Sequence, residues 1–206
     1  SYRYMSMDMK GNIKGHTPIL PEDIVSSVAN PFAPPATVRV VPLDMNTKMH
    51  MLGMMYAPSD SLTLMAMLNY VENEMSHQTF MGMAGTMPLG KFTTKSSGIG
   101  DTKFSALWGM VKNDTHKLHL NLGLSIPTGS IDETDNVLTP MNTRPELRLP
   151  YAMQLGSGTY DFEPGVTYNG HADRLAWGAQ YKATLRLDEN DENYTLGDVH
   201  QLTSWG

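Results

Sequence analysis

Methionine is the residue type in this chain most able to do chemistry, filling 17 of its 206 positions. Met5, Met7 and Met9 alternate within one short segment. Met49, Met51 and Met55 keep a period of two, as do Met65 and Met67. Side chains two apart on an extended strand point to the same side, so each set would form a row of thioethers. A thioether is a soft ligand suited to Cu(I) or Ag(I), and His16, His50 and His77 lie in or near these segments. Methionine is also a flexible apolar filler that packs irregular interiors and touches apolar solutes. That second role fits an inward row equally well, and Met81, Met83 and Met87 in the following loop extend either one.

A second set carries charge. Asp161 and Glu163 alternate on one segment, and Gln180, Lys182 and Arg186 on the next. A register that opposes Asp161 to Lys182 also opposes Glu163 to Gln180, with Arg186 a diagonal step beyond. Such a set can constrict a pore and bias which solutes pass, or it can act as an ion-pair ladder that fills a small barrel and fixes register. His119 and Asn121 join the same polar side. The acidic stretches Asp132-Glu133-Thr134-Asp135 and Asp188-Glu189-Asn190-Asp191-Glu192 offer oxygen ligands of the kind Ca²⁺ takes. Neither follows the spaced pattern of a helix-loop-helix calcium site.

Enzymatic constellations are weak. Gly156-Ser157-Gly158 lacks the spacing of a nucleophile elbow. His116 and His119 are three apart, so on a strand they face opposite ways. Gly98-Ile99-Gly100 has no phosphate-loop continuation. We expect no enzyme.

The elements that must position these groups are strands. Residues 117–126 alternate strictly, with Leu118, Leu120, Leu122, Leu124 and Ile126 on one side and Lys117, His119, Asn121, Gly123 and Ser125 on the other. The same alternation pairs 49–56 with 62–71 around 57–61, 102–111 with 117–126 around 112–116, and 159–168 with 175–187 around 169–173. If Tyr56 opposes Leu62, Met51 falls opposite Met67. Strands at 2–9 and 196–205 bring the count to eight. The connections 13–44, 73–99, 127–152 and 188–196 are rich in Gly, Pro, Ser, Thr and charge and read as loops. Short turns at one end and long loops at the other suit a transmembrane β-barrel. Compact soluble domains rarely use several loops of that length.

Composition is compatible with this. The net charge of −6 argues against nucleic acid as a partner. With no cysteine there is neither a disulfide framework nor a thiolate site. A mean hydropathy of −0.31 does not exclude a barrel, because only alternate strand residues need be apolar. The chain opens on strand-like residues, as expected of an exported protein already freed of its signal peptide.

Several stretches resemble a bacterial outer-membrane family, the transporter-like barrels grouped with the meta-pathway phenol-degradation proteins. They are Ser1-Tyr-Arg-Tyr-Met-Ser-Met-Asp-Met-Lys-Gly-Asn12, Met49-His-Met-Leu-Gly-Met-Met-Tyr-Ala-Pro-Ser-Asp60, Leu62-Thr-Leu-Met-Ala-Met67, Ser97-Gly-Ile-Gly-Asp-Thr-Lys103, Leu124-Ser-Ile-Pro-Thr-Gly-Ser-Ile131 and Met153-Gln-Leu-Gly-Ser-Gly-Thr-Tyr-Asp161. The resemblance implies an outer-membrane β-barrel with a transport role and carries over no catalytic residue. An outer-membrane chain usually closes on a terminal aromatic, whereas this one stops at Trp205-Gly206, so further strands are expected.

The expectation is an all-β, antiparallel transmembrane β-barrel of at least eight strands, a single domain over 1–206, with 13–44 as a long loop or plug-like insertion. It would sit in the bacterial outer membrane against lipid, as a porin-like, methionine-rich passive channel for small or hydrophobic solutes. No cofactor is expected unless lumenal Met5, Met7, Met9, Met49, Met51, Met55, Met65 and Met67 hold Cu(I) or the acidic loops hold Ca²⁺. Asp161, Glu163, Gln180, Lys182, Arg186, His119 and Asn121 would line the lumen. The alternatives are a soft-metal-handling barrel and a structural anchor that meets a protein partner through its long loops. The segment around Ile24, Val25, Val28 and Pro31-Phe32-Ala33-Pro34-Pro35 is the best candidate for that contact.

Overall fold

The alternation yields an all-β chain, 62% strand and 5% helix, whose main antiparallel sheet is curled into a half-barrel. The structure, a computed structural model, describes residues 1–31 and 34–206. In chain order the strands are β1 (Tyr2–Lys10), β2 (Asn12–Lys14), β3 (Thr17–Ile19), β4 (Val40–Ser59), β5 (Leu62–Phe80), β6 (Pro88–Ile99), β7 (Thr102–Lys112) and β8 (His116–Ile126). They continue as β9 (Thr134–Asn136), β10 (Glu146–Arg148), β11 (Asp161–Ala172), β12 (Leu175–Arg186) and β13 (Val199–Trp205), and one helix, α1, spans Pro21–Ser27. The sheet runs β1-β4-β5-β7-β8-β11-β12-β13, with β6 paired to the upper half of β5.

Three tight turns, at 60–61, 113–115 and 173–174, lie at one end of this sheet. The connections 11–39, 81–87, 127–160 and 187–198 lie at the other. Of residues 73–99, expected as a loop, 73–80 instead extend β5 and 88–99 form β6, which pair from Tyr70↔Ile99 to Phe80↔Pro88, and only 81–87 connect them. Part of 13–44 is likewise structured. β2 and β3 form a hairpin, and Val25 of α1 packs with Val41 and Phe80. Phe32 and Ala33 of the proposed contact segment lie outside the described residues.

Register fixes what each face carries. The inner row takes Met5, Met7 and Met9 from β1, Met45, Thr47, Met49, Met51 and Met55 from β4, and Met65, Met67, Asn69, Val71 and Asn73 from β5. It continues through Lys103 and Ser105, then Asn121, Gly123 and Ser125, then Asp161, Glu163 and Thr167, and ends with Gln180, Lys182 and Arg186. The outer row carries Leu52, Met54 and Tyr56, Leu64 and Leu68, Phe104 and Trp108, Leu122 and Leu124, Phe162, Trp177 and Tyr181, all of them exposed.

The resulting burial is inverted. Among the described residues 16 polar or charged side chains are buried against 12 hydrophobic ones, and Asp161 and Glu163 are in the buried set. Soluble domains rarely bury carboxylates so thoroughly, and do so only when they are paired.

The outer face also changes character along its length. On β5 it reads Leu62, Leu64, Ala66, Leu68 and Tyr70, then Glu72, Glu74, Ser76 and Gln78. On β4 the same change falls at His50, between Leu52 and Lys48. The apolar part of β5 spans residues 62–70. At roughly 3.4 Å per residue that is about 27 Å of strand, or about 21 Å of height at a tilt of ~40°, close to the ~25 Å apolar band of outer-membrane barrels. Three diagonal Tyr–His pairs decorate this face: Tyr2–His50 at 2.7 Å, Tyr168–His116 at 2.7 Å and Tyr181–His200 at 2.8 Å. Each satisfies its polar tip while presenting an aromatic body, as interfacial aromatics do.

Beyond the apolar stretch, β5 turns His77 inward, where it is buried and stacks on Phe92 at 4.8 Å between ring centroids. Burial holds its imidazole below the usual histidine pKa. The unfolded chain therefore takes up a proton near pH 6.5 that the folded state resists, so stability is complete above about that pH and falls as the pH drops below it. The denaturant midpoint should decline from pH 7 to pH 5.5, and decline less in His77→Phe, which keeps the stacking. An equal decline in both proteins would assign the effect elsewhere.

Candidate functional site

The inner face gathers charge because β7, β8, β11 and β12 each contribute one polar row. Glu163 of β11 lies between Lys103 of β7, to which it is ion-paired, and Lys182 of β12 at 3.0 Å. Its side chain lies across Gly123 of β8, where an added Cβ would meet the Glu163 Cβ at 2.9 Å. The absence of a side chain at 123 is what lets one carboxylate bridge strands two apart. One step above, the Arg186 guanidinium pairs with the Asp161 carboxylate, which also accepts from the Thr159 hydroxyl at 2.6 Å. Below the ladder, Thr167 Oγ1 accepts from Gln180 Nε2 at 2.8 Å and from Asn121 Nδ2 at 3.3 Å. His119 sits opposite Thr167 on the same row.

The connection 127–160 turns back onto this face. Thr79 donates to the Leu138 carbonyl at 2.7 Å and Ser96 to the Met153 carbonyl at 2.5 Å. Met153 and Leu149 pack with Met45 and Met75. Asp101, at the break between β6 and β7, accepts from the Gly129 N–H at 3.1 Å, the Ser157 N–H at 2.8 Å and the Ser157 hydroxyl at 2.9 Å. Gly129 and Gly156 cross in contact there, since a Cβ on Gly129 would stand 2.7 Å from the Gly156 backbone. One carboxylate thus pins both ends of the returning chain. Beneath it lies a cavity of about 310 Å³ whose lining includes Met49, Asn69, Lys103, Ser125, Asp161 and Arg186.

Two registers differ from the sequence expectation. Asp161 opposes Arg186, not Lys182, and Lys182 opposes Gly165. The chain turns at Asp173-Arg174, with Asp173 at a φ of +50°, so the strands run further before reversing. Tyr56 opposes Leu64, which places Met51 against Asn69 and Met55 against Met65. The chain turns at 60–61, and a one-residue bulge between Tyr56 and Ser59 takes up Pro58, so the net register differs by two residues. Both shifts are even, so every side chain stays on its expected face.

The methionines divide. Met45 and Met75 belong to an apolar cluster under the returning connection. Met5 opposes Met49, and Met55 opposes Met65, on the open part of the inner face. His50 does not join them, because it faces outward with Tyr2 and Tyr4, and His16 stands exposed in the β2–β3 turn. The acidic stretches are engaged piecemeal. Asp132 accepts from Ser130, Asp135 from the Lys95 N–H, Asp188 from the Tyr160 N–H, and Glu192 pairs with Arg148. Among the described residues no three His, Asp or Glu side chains converge as a metal site.

Two residues, buried Arg39 and half-buried Asp101, escape sequence reasoning. Arg39 donates to the carbonyls of Met81, Gly82, Ala84 and Gly85 and so organises the β5–β6 turn. Asp101 anchors the returning connection. Each is a lone charged residue beside a strand, and its partners, mostly backbone groups, are remote in sequence.

Fold and site together define an antiparallel β half-barrel, apolar outside, with a charge ladder beneath an in-turned connection. No family model matches the chain, and no curated protein is significantly similar to it.

Proposed function

We propose that this chain forms the wall of a β-barrel in the bacterial outer membrane and passes small or hydrophobic solutes passively along its inner face. The observation that carries the reading is the inversion of the sheet: an exposed apolar outer band of about membrane height, over an inner face of paired charges and amides. Water cannot satisfy backbone groups within lipid, and strands joined edge to edge are one of the few structures that can span it. The ladder of Lys103, Glu163, Lys182, Asp161 and Arg186 narrows the inner face, and the 127–160 connection narrows it further. That connection buries Leu138, Leu149, Met153 and Leu155 on the inner side, which favours passage over a role as an anchor for an extracellular assembly.

Single-channel recording in a planar bilayer tests this. Discrete, steady conductance that is insensitive to Ag(I) is the expected result. Block by Ag(I) that is lost on Met5→Leu with Met49→Leu would instead favour soft-metal handling. Absence of conductance would overturn the passage reading.

A further inference from the structure

We propose that the Lys103–Glu163–Lys182 ladder makes the inner face select small anions, such as a short-chain carboxylate, over cations of similar size. The inference rests on the passage reading and names the class of solute. The ladder is unequal in number, because two ammonium groups share the one carboxylate of Glu163. It is also unequal in access. The Lys103 and Lys182 side chains are 35% and 42% exposed, whereas that of Glu163 is 6%. The neighbouring pair repeats the order, with Arg186 at 14% over Asp161 at 3%. A solute moving along this face therefore meets the cations, and the carboxylates lie behind them.

The donors that remain fit an anion. Glu163 offers one oxygen to each lysine, Oε1 to Lys103 and Oε2 to Lys182. A lysine ammonium carries three N–H groups, so both keep donors for a second acceptor. A passing carboxylate can accept from them in charge-assisted bonds. A passing ammonium finds two like charges in front and a carboxylate already shared.

The wider face has the same sign. By register the inner rows carry Arg3, Lys103, Lys112, Lys117, Lys182 and Arg186 against Asp161 and Glu163. Asp101, at the break between β6 and β7, adds a third carboxylate, already filled by three donors. This face is positive although the whole chain carries −6. The acidic runs 132–135 and 188–192 belong to the long connections. Charge at an open mouth is screened within about 10 Å at 0.1 M salt, whereas the ladder acts where the inner face narrows. Rings of lysine or arginine set anion preference in pores in this way.

Reversal potentials across a gradient of KCl, and then of potassium acetate, test this in the planar bilayer. Chloride should pass about fivefold more readily than potassium, the preference that one charge at contact distance gives in water, and acetate should also exceed potassium. Lys182→Met leaves Lys103 paired with Glu163 and should lower the chloride ratio about threefold, while Glu163→Gln frees both lysines and should raise it by a similar factor. If Glu163→Gln fails to fold, Lys182→Met carries the test. Conductance that prefers potassium, or a ratio that Lys182→Met leaves unchanged, would overturn this selection and leave the passage reading standing. Should no channel open, the passage reading fails, and chloride NMR line broadening by the micelle-folded protein still tests the lysines. Broadening that shrinks in Lys182→Met would keep the anion site, and broadening that does not would overturn it.

Discussion

Asp161→Ala is expected to destabilise the protein by about 3–5 kcal/mol, because it leaves the Arg186 guanidinium buried without its counter-charge. Asp161 is 2% exposed, and it takes donors from Thr159, from Ser157 and from Arg186. Removing it orphans Thr159 and Arg186 at once, while the Ser157 hydroxyl keeps its bond to Asp101. Asp161→Leu combined with Arg186→Met should recover most of the loss, since replacing both partners of a buried pair by apolar groups is often nearly neutral. Urea titration of the micelle-folded protein measures both. A loss under about 1 kcal/mol for Asp161→Ala would mean that water reaches Arg186 freely, and its pair with Asp161 would not be a buried one.

The second large effect separates the two faces. Met54 and Met55 are neighbours on β4, 63% and 60% exposed, with Met54 on the outer face and Met55 on the inner. In water the two sites are equivalent, and an arginine at either should change stability by no more than about 0.5 kcal/mol. In a bilayer Met54→Arg places a charge among acyl chains and should cost roughly 2–4 kcal/mol, while Met55→Arg faces the polar side and should cost little. Equilibrium refolding into phospholipid vesicles reads the difference. Equal costs for the two substitutions would remove the membrane reading, whatever the conductance records show.

Much of this could be read from the chain. The strict alternation in 117–126 assigns Leu122 and Asn121 to opposite faces without any knowledge of their neighbours, because a two-residue period is a property of one strand. The inward direction of Asp161, Glu163, Lys182 and Arg186 follows in the same way. Even where the registers differ, the shifts are even and leave each face as expected.

Pairing was not legible. Which residue opposes which depends on where the chain reverses, and that was decided by a left-handed Asp173 and by a bulge around Pro58. The extension of β5 and β6 was hidden because its outer face is polar above Tyr70 and its inner face mixes Val71 and Met75 with Asn73, His77 and Thr79. There Asn73 bonds Thr47 and Ser96 inward while Glu74 meets Lys95 outward, so no alternation marks it as strand.

The sequence alone therefore determined the strands and their two faces, since both arise from the local geometry of an extended backbone. Only the tertiary structure decided the Lys103–Glu163–Lys182 ladder, the Asp161–Arg186 pair and the return of 127–160 onto Asp101. Their partners lie tens of residues apart, and nothing local to either one records the meeting.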